Sequence, residues 1–189
     1  MAPEQTAADY LEKEILILLA GRCGERRGRR WRPHPDRISQ VALHESCHAV
    51  VAAAVGQSQR GIAIARDGTR GVMFHASAAA PPLPPIDLQD PKTIIEAYKP
   101  GMSDFEQAVD FAKLMKQHGW GAYLRGMWKR ADVILERHWL AATILASEVR
   151  ERRIVGPERV QQILDRWMPV TAPSLSAFLN GSQQTGATT

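Results

Sequence analysis

Apolar and polar positions alternate along the chain with several distinct periods. Tyr10, Leu11, Ile15, Leu18 and Leu19 recur at helical spacing, which predicts a helix over residues 7–24, broken at the Gly-Arg cluster that follows. Asp36 is placed to open a second helix that runs to about Val55, and Gly56 stands where a C-terminal stop is expected. Two short β-prone runs follow, 62–66 and 72–75. They flank Asp67-Gly68, the signature of a hairpin turn. The five prolines between Pro81 and Pro91 predict a loop near the site. Helical periodicity returns over 103–117 and, after Gly-Trp-Gly, over 127–153. There Ile134, Leu135, Trp139, Leu140, Ile144, Leu145 and Val149 make an apolar face. Residues 154–156 read as a break, and Pro157 opens a last helix to about Trp167. The expected fold is mainly α with a small β-hairpin or sheet (α+β). It forms a single domain over 1–170, with a flexible tail over 171–189.

Composition adds few constraints. A chain of 189 residues can bury a core without disulfides. Its two cysteines, Cys23 and Cys47, are too few for a disulfide framework and read as reduced thiols. The start, MAPEQTAADYLEKE, is acidic and polar, unlike a secretory signal, and no apolar run reaches bilayer length. A cytoplasmic location without an integral membrane segment is therefore expected. Net charge is +4, with an arginine-rich run from Arg22 to Arg37. No nucleic-acid motif accompanies that run, so it reads as a solvated connection and nucleic acid is an unlikely partner. Trp120, Trp128 and Trp139 read as core aromatics.

The chemistry concentrates in the second helix, at His44-Glu45-Ser46-Cys47-His48. Residues i and i+4 share a helix face, so His44 and His48 can present ring nitrogens to one zinc ion. Glu45 is placed to take a proton from a water that the zinc acidifies, the water-activating device used in peptide hydrolysis. The bland alternative is a pair of satisfied core histidines. Zinc needs a third protein ligand. The extended pattern with a further histidine is absent, because Ala54 stands there. Glu96, Asp104, His75 and His118 are the candidates, and spacing alone does not choose among them. His75 also ends a strand, where it can meet substrate. Cys47 precedes His48 and is turned about 100° from it, which favours packing over ligation. The strands 62–66 and 72–75 can form an edge beside the cleft, to which a peptide adds as a strand.

Three segments carry a resemblance to a known family. VALHESCHAVVAAAVG resembles the protease-domain helix of the FtsH-type AAA+ zinc proteases. GMSDFEQAVDFAKLM, from Gly101 to Met115, is similar to the family segment whose aspartate is the third zinc ligand. ADVILERHWLAATILASEVRERRIVGPERVQQIL resembles its closing helices. The resemblance covers roughly two thirds of the chain. It implies a helical zinc-metallopeptidase domain with Zn2+ as cofactor, His44, His48 and Asp104 as ligands and Glu45 as the catalytic base. The implied partners are a peptide or unfolded protein substrate and, since no ATP-binding Gly-x-x-x-x-Gly-Lys loop occurs, a separate AAA+ unfoldase or a homo-oligomer. The alternative is a catalytically inactive zinc-binding module with a regulatory or protein-binding role. Three departures stand out. The family's glycine before the second histidine is Cys47, whose bulk is expected to narrow the substrate groove. The segment before Asp104 is one residue shorter. Glu12–Glu25 resembles a helix that in the family follows the zinc helix, which implies a permuted order with this helix packed beside His44 and His48.

Overall fold

The computed structural model describes residues 3–31, 36–68, 70–75, 103–116 and 118–168. The order is α1 (Pro3–Trp31), α2 (Arg37–Ala54), β1 (Gln59–Ile64), β2 (Gly71–His75), α3 (Asp104–Met115), α4 (Trp120–Arg137), α5 (Trp139–Arg152), β3 (Ile154–Val155) and α6 (Pro157–Trp167). The fold is mainly helical with a small antiparallel sheet, as the periodicities predict.

Helix α2 is central. Asp36 caps it, accepting from the Ser39 N–H at 2.9 Å and the Ser39 hydroxyl at 2.7 Å. Its residues from Glu45 to Ala52 are buried without a gap, so it is enclosed on every side. It packs against α1, α5, β1 and β2. The sheet has the order β2-β1-β3, with both pairs antiparallel. Gly68, at φ +67° in the hairpin turn, lies against Ile38. A Cβ there would meet Ile38 Cγ1 at 2.3 Å, so both conformation and space require glycine.

The structure departs from the sequence reading in four places. Helix α1 does not break at the Gly-Arg cluster but continues through it to Trp31. The reason is packing: Gly21, Gly24 and Gly28 face α2. A Cβ would meet the His44 ring at 2.4 Å, Cys47 Sγ at 2.2 Å and Leu43 Cδ2 at 2.5 Å, respectively. These glycines are points of close helix–helix approach. The segment 127–153 is two helices, because α4 begins at Trp120 and ends in a cap at His138. Residues 154–155 form β3 on β1, a strand too short to register without its partner. Trp120 is exposed under Lys113, whereas Trp128 and Trp139 are half-buried as expected.

The arginine run is likewise no loose connection in its described part. Arg22 lies over the Phe105 ring at 5.2 Å. Arg27 pairs with Asp132 at 3.2 Å and lies over Trp139. Arg29 is 4.0 Å from Glu25. Helix α1 lies against α2, as the expected placement beside the histidines requires. Among the described residues no helix is long and apolar enough to cross a membrane. The proline-rich loop, Glu96 and the 171–189 tail lie outside the described residues.

Candidate metal centre

His44 and His48 lie one turn apart on α2, with ring centroids 4.6 Å apart and planes at 73°. Asp104 arrives from the first turn of α3, where the helix dipole favours a carboxylate. The sequence reason is the Ser-x-x-Glu pattern. Ser103 and Glu106 form a capping box, with Ser103 N–H donating to Glu106 at 2.8 Å. Phe105, wedged between Arg22 and the edge of Trp128, docks that turn onto α1 and α4. Among the described residues His44, His48 and Asp104 form a group able to hold a metal ion, with their ligand atoms all within 4.8 Å.

The outer contacts orient the rings. His44 Nδ1–H donates to Glu25 Oε1 at 2.8 Å. His48 Nδ1–H donates to the Ile17 carbonyl at 2.6 Å. A carbonyl only accepts, and so does the Glu25 carboxylate, held below its ordinary pKa chiefly by the His44 hydrogen bond. Both Nε2 atoms therefore turn toward Asp104 Oδ2, at 2.9 Å for His44 and 3.2 Å for His48. A metal-binding histidine characteristically has this arrangement: one nitrogen on an acceptor, the other free for the ion.

A proton count follows from these contacts. Two neutral imidazoles carry two N–H protons, yet their four nitrogens face acceptors only. The pocket is satisfied by two added protons or by one divalent cation. In the metal-free chain His44 keeps its added proton well above neutral pH. Burial opposes a charged His44 ring, but Asp104, Glu25 and the nearby Glu45 outweigh it and carry its pKa to about 10. Burial likewise pushes against an ionised Asp104, and the two histidine hydrogen bonds hold its carboxyl well below the usual range. The donor set fits zinc: two imidazole nitrogens and one carboxylate oxygen, leaving coordination positions open.

Glu45 is 7% exposed and sits under β2, where a Cβ at Gly71 would meet its Cγ at 2.5 Å. Burial raises its pKa, offset in part by His44, His48 and a hydrogen bond from Met73 N–H. The Asp104 side chain keeps 35% exposure, so the group reaches solvent at Asp104, while Glu45 stays buried within electrostatic reach of all three residues.

Of the sequence candidates, His44, His48 and Asp104 come together with Glu45 beside them. His118 is exposed in the turn before α4 and is not in the group. His75 ends β2, and its side chain is outside the described set. Cys47 is fully buried opposite Gly24, so its bulk goes into the α1–α2 seam and does not narrow a groove. Glu25 and Ile17 were not identified from sequence. Their signal was the helical phase that places Ile17, Gly21, Gly24, Glu25 and Gly28 along one side of α1, visible only once α1 is known to continue. Comparison with protein families, with curated proteins and with solved structures finds no match.

Proposed function

We infer that this chain is a zinc-dependent peptidase in which Glu45 is the catalytic base, in keeping with its resemblance to the FtsH-type peptidase domain. The observation that carries the reading is the proton count: four histidine nitrogens face acceptors, a deficit that one divalent cation meets. His44 Nε2, His48 Nε2 and Asp104 Oδ2 would hold the ion. When bound, zinc supplies Lewis acidity toward a water and a carbonyl oxygen.

The chain's own residues do the rest. Glu25 and the Ile17 carbonyl keep both Nε2 lone pairs aimed at the ion. The Glu45 carboxylate, steadied by Met73 N–H, takes a proton from the attacking water and returns it to the leaving amine nitrogen. Strand β2 is an outer strand of the sheet, beside Glu45. An extended peptide is the substrate such an edge suits. Without an ATP-binding loop in this chain, a folded substrate would depend on a separate AAA+ unfoldase.

A second reading, a zinc-binding module without catalysis, is favoured by one observation: Glu45 is buried and bonded to the sheet. Zinc content and cleavage of an unfolded protein, measured on wild type, Glu45→Gln and Asp104→Ala, separate the two. The peptidase reading expects bound zinc in wild type and Glu45→Gln, cleavage only in wild type, and neither property in Asp104→Ala. Zinc without cleavage in wild type establishes the module, and no zinc in wild type ends both readings.

A further inference from the structure

Behind the metal group lies a second concave site that the proposed reaction does not use. A cavity of about 300 Å³ opens where α1, α2 and α5 meet, a volume at the small end of ligand pockets. Leu43, Trp139 and Ala146 supply apolar wall, and Arg29 and Arg150 contribute from two different helices. Ser39, Thr143 and Ser147 add hydroxyls. The lining holds one carboxylate, Glu25, which His44 Nδ1–H engages at 2.8 Å and Arg29 approaches at 4.0 Å. Two guanidinium groups thus share one lining carboxylate, an excess of positive charge that Asp36, acting on Arg150 from beside Ser39, offsets in part.

The wall chemistry is that of an amphipathic ligand. The Trp139 ring is held by Arg27, whose guanidinium lies 5.9 Å from its centre. A flat apolar body can lie along Trp139 and Leu43 while its charged end reaches the arginines. Arginine's planar fork pairs with a carboxylate through two parallel hydrogen bonds. The Ser39 and Thr143 hydroxyls donate to Asp36 and to the Leu140 carbonyl, respectively, so they turn acceptor lone pairs to the cavity and disfavour a second acidic group there. We propose that this cavity binds a small carboxylic acid with one flat apolar body, its carboxylate held between Arg29 and Arg150.

The cavity shares only Glu25 with the metal group, so the test uses full-length, chelator-treated, ¹⁵N-labelled protein titrated with benzoate and with benzyl alcohol. Saturable shifts of the Trp139 indole and the Ala146 and Ser147 amides are expected with benzoate alone. Arg29→Gln and Arg150→Gln, both exposed positions, each weaken that binding about tenfold, the scale of a lost charge-assisted hydrogen bond. The proposal is overturned by equal binding of benzyl alcohol, by undiminished binding in either variant, or by shifts centred on His44 and Asp104. Absence of saturable shifts at Trp139 overturns it too.

Discussion

The α1–α2 seam and helix α3 hold the two halves of the candidate metal centre by opposite means. In the seam the backbones approach through glycine, the His48 ring is buried and the His44 ring half-buried, and each histidine is fixed by a partner on α1. Helix α3 brings Asp104 on an exposed first turn, held by its own capping box and by Phe105. One half is part of the core, and its geometry comes with folding. The other stands at the rim: α3 enters the core through Ala108 and Ala112, but its first turn, with Asp104, stays partly exposed. Changes on the two sides should therefore produce different phenotypes.

The largest effect is expected at Asp104. If the proposed zinc site is right, Asp104→Ala loses the zinc that the wild type holds, read by elemental analysis, and leaves the helical circular dichroism unchanged. A parallel loss of helix would mean that the first turn of α3 is needed to seat Ala108 and Ala112 in the core. Next comes Glu25→Gln, on the seam side. Loss of a partner behind a histidine ligand typically lowers metal affinity about 10–100-fold, and competition with a chelator dye measures it. An unchanged affinity would show that the His44 ring is held by packing alone.

Gly24→Ala tests the seam directly. An exposed helical Gly→Ala change gains up to about 1 kcal/mol, whereas here the new methyl meets Cys47 Sγ. Overpacking of this kind costs about 1–3 kcal/mol. Thermal melts should show a loss, largely recovered in Gly24→Ala/Cys47→Ala. Independent, additive effects would separate the two positions. Ser103→Ala, on the docked side, should cost about 1 kcal/mol through its lost cap, again read by melting. The smallest signal concerns the thiols. Burial raises Cys47 and pushes Cys23 up to about 12. Both should resist a thiol reagent at pH 8 while the chain is folded and react on unfolding. Rapid labelling of Cys47 in the native protein would mean that the seam opens.

Features governed by local chemistry were readable before the structure. The Asp36 cap, the Gly56 stop, the Asp67-Gly68 turn and Pro157 at a helix start each act within a few residues, and each falls where expected. The His44–His48 pairing follows from one helical turn. Asp104 needed the resemblance, because spacing left four candidates. What stayed hidden is tertiary. Gly21, Gly24 and Gly28 look like breakers until α2 lies against them. Glu25 and His44 are on different helices. Strand β3 exists only through β1, and the interruption at His138 has no Gly or Pro to announce it.

One turn of α1 has a wider consequence. Its Ile17 carbonyl receives His48, and four residues on, Gly21 leaves room for the His44 ring. That turn acts as a gauge set across both histidines. A single residue inserted in α1 between Ile17 and Gly21 would swing one contact about 100° away from the other. The five letters from His44 to His48 are therefore not a portable cassette. Transplanted to another helix they would carry the ligands but not the means of aiming them, and an engineer borrowing this centre would have to take both helices in register.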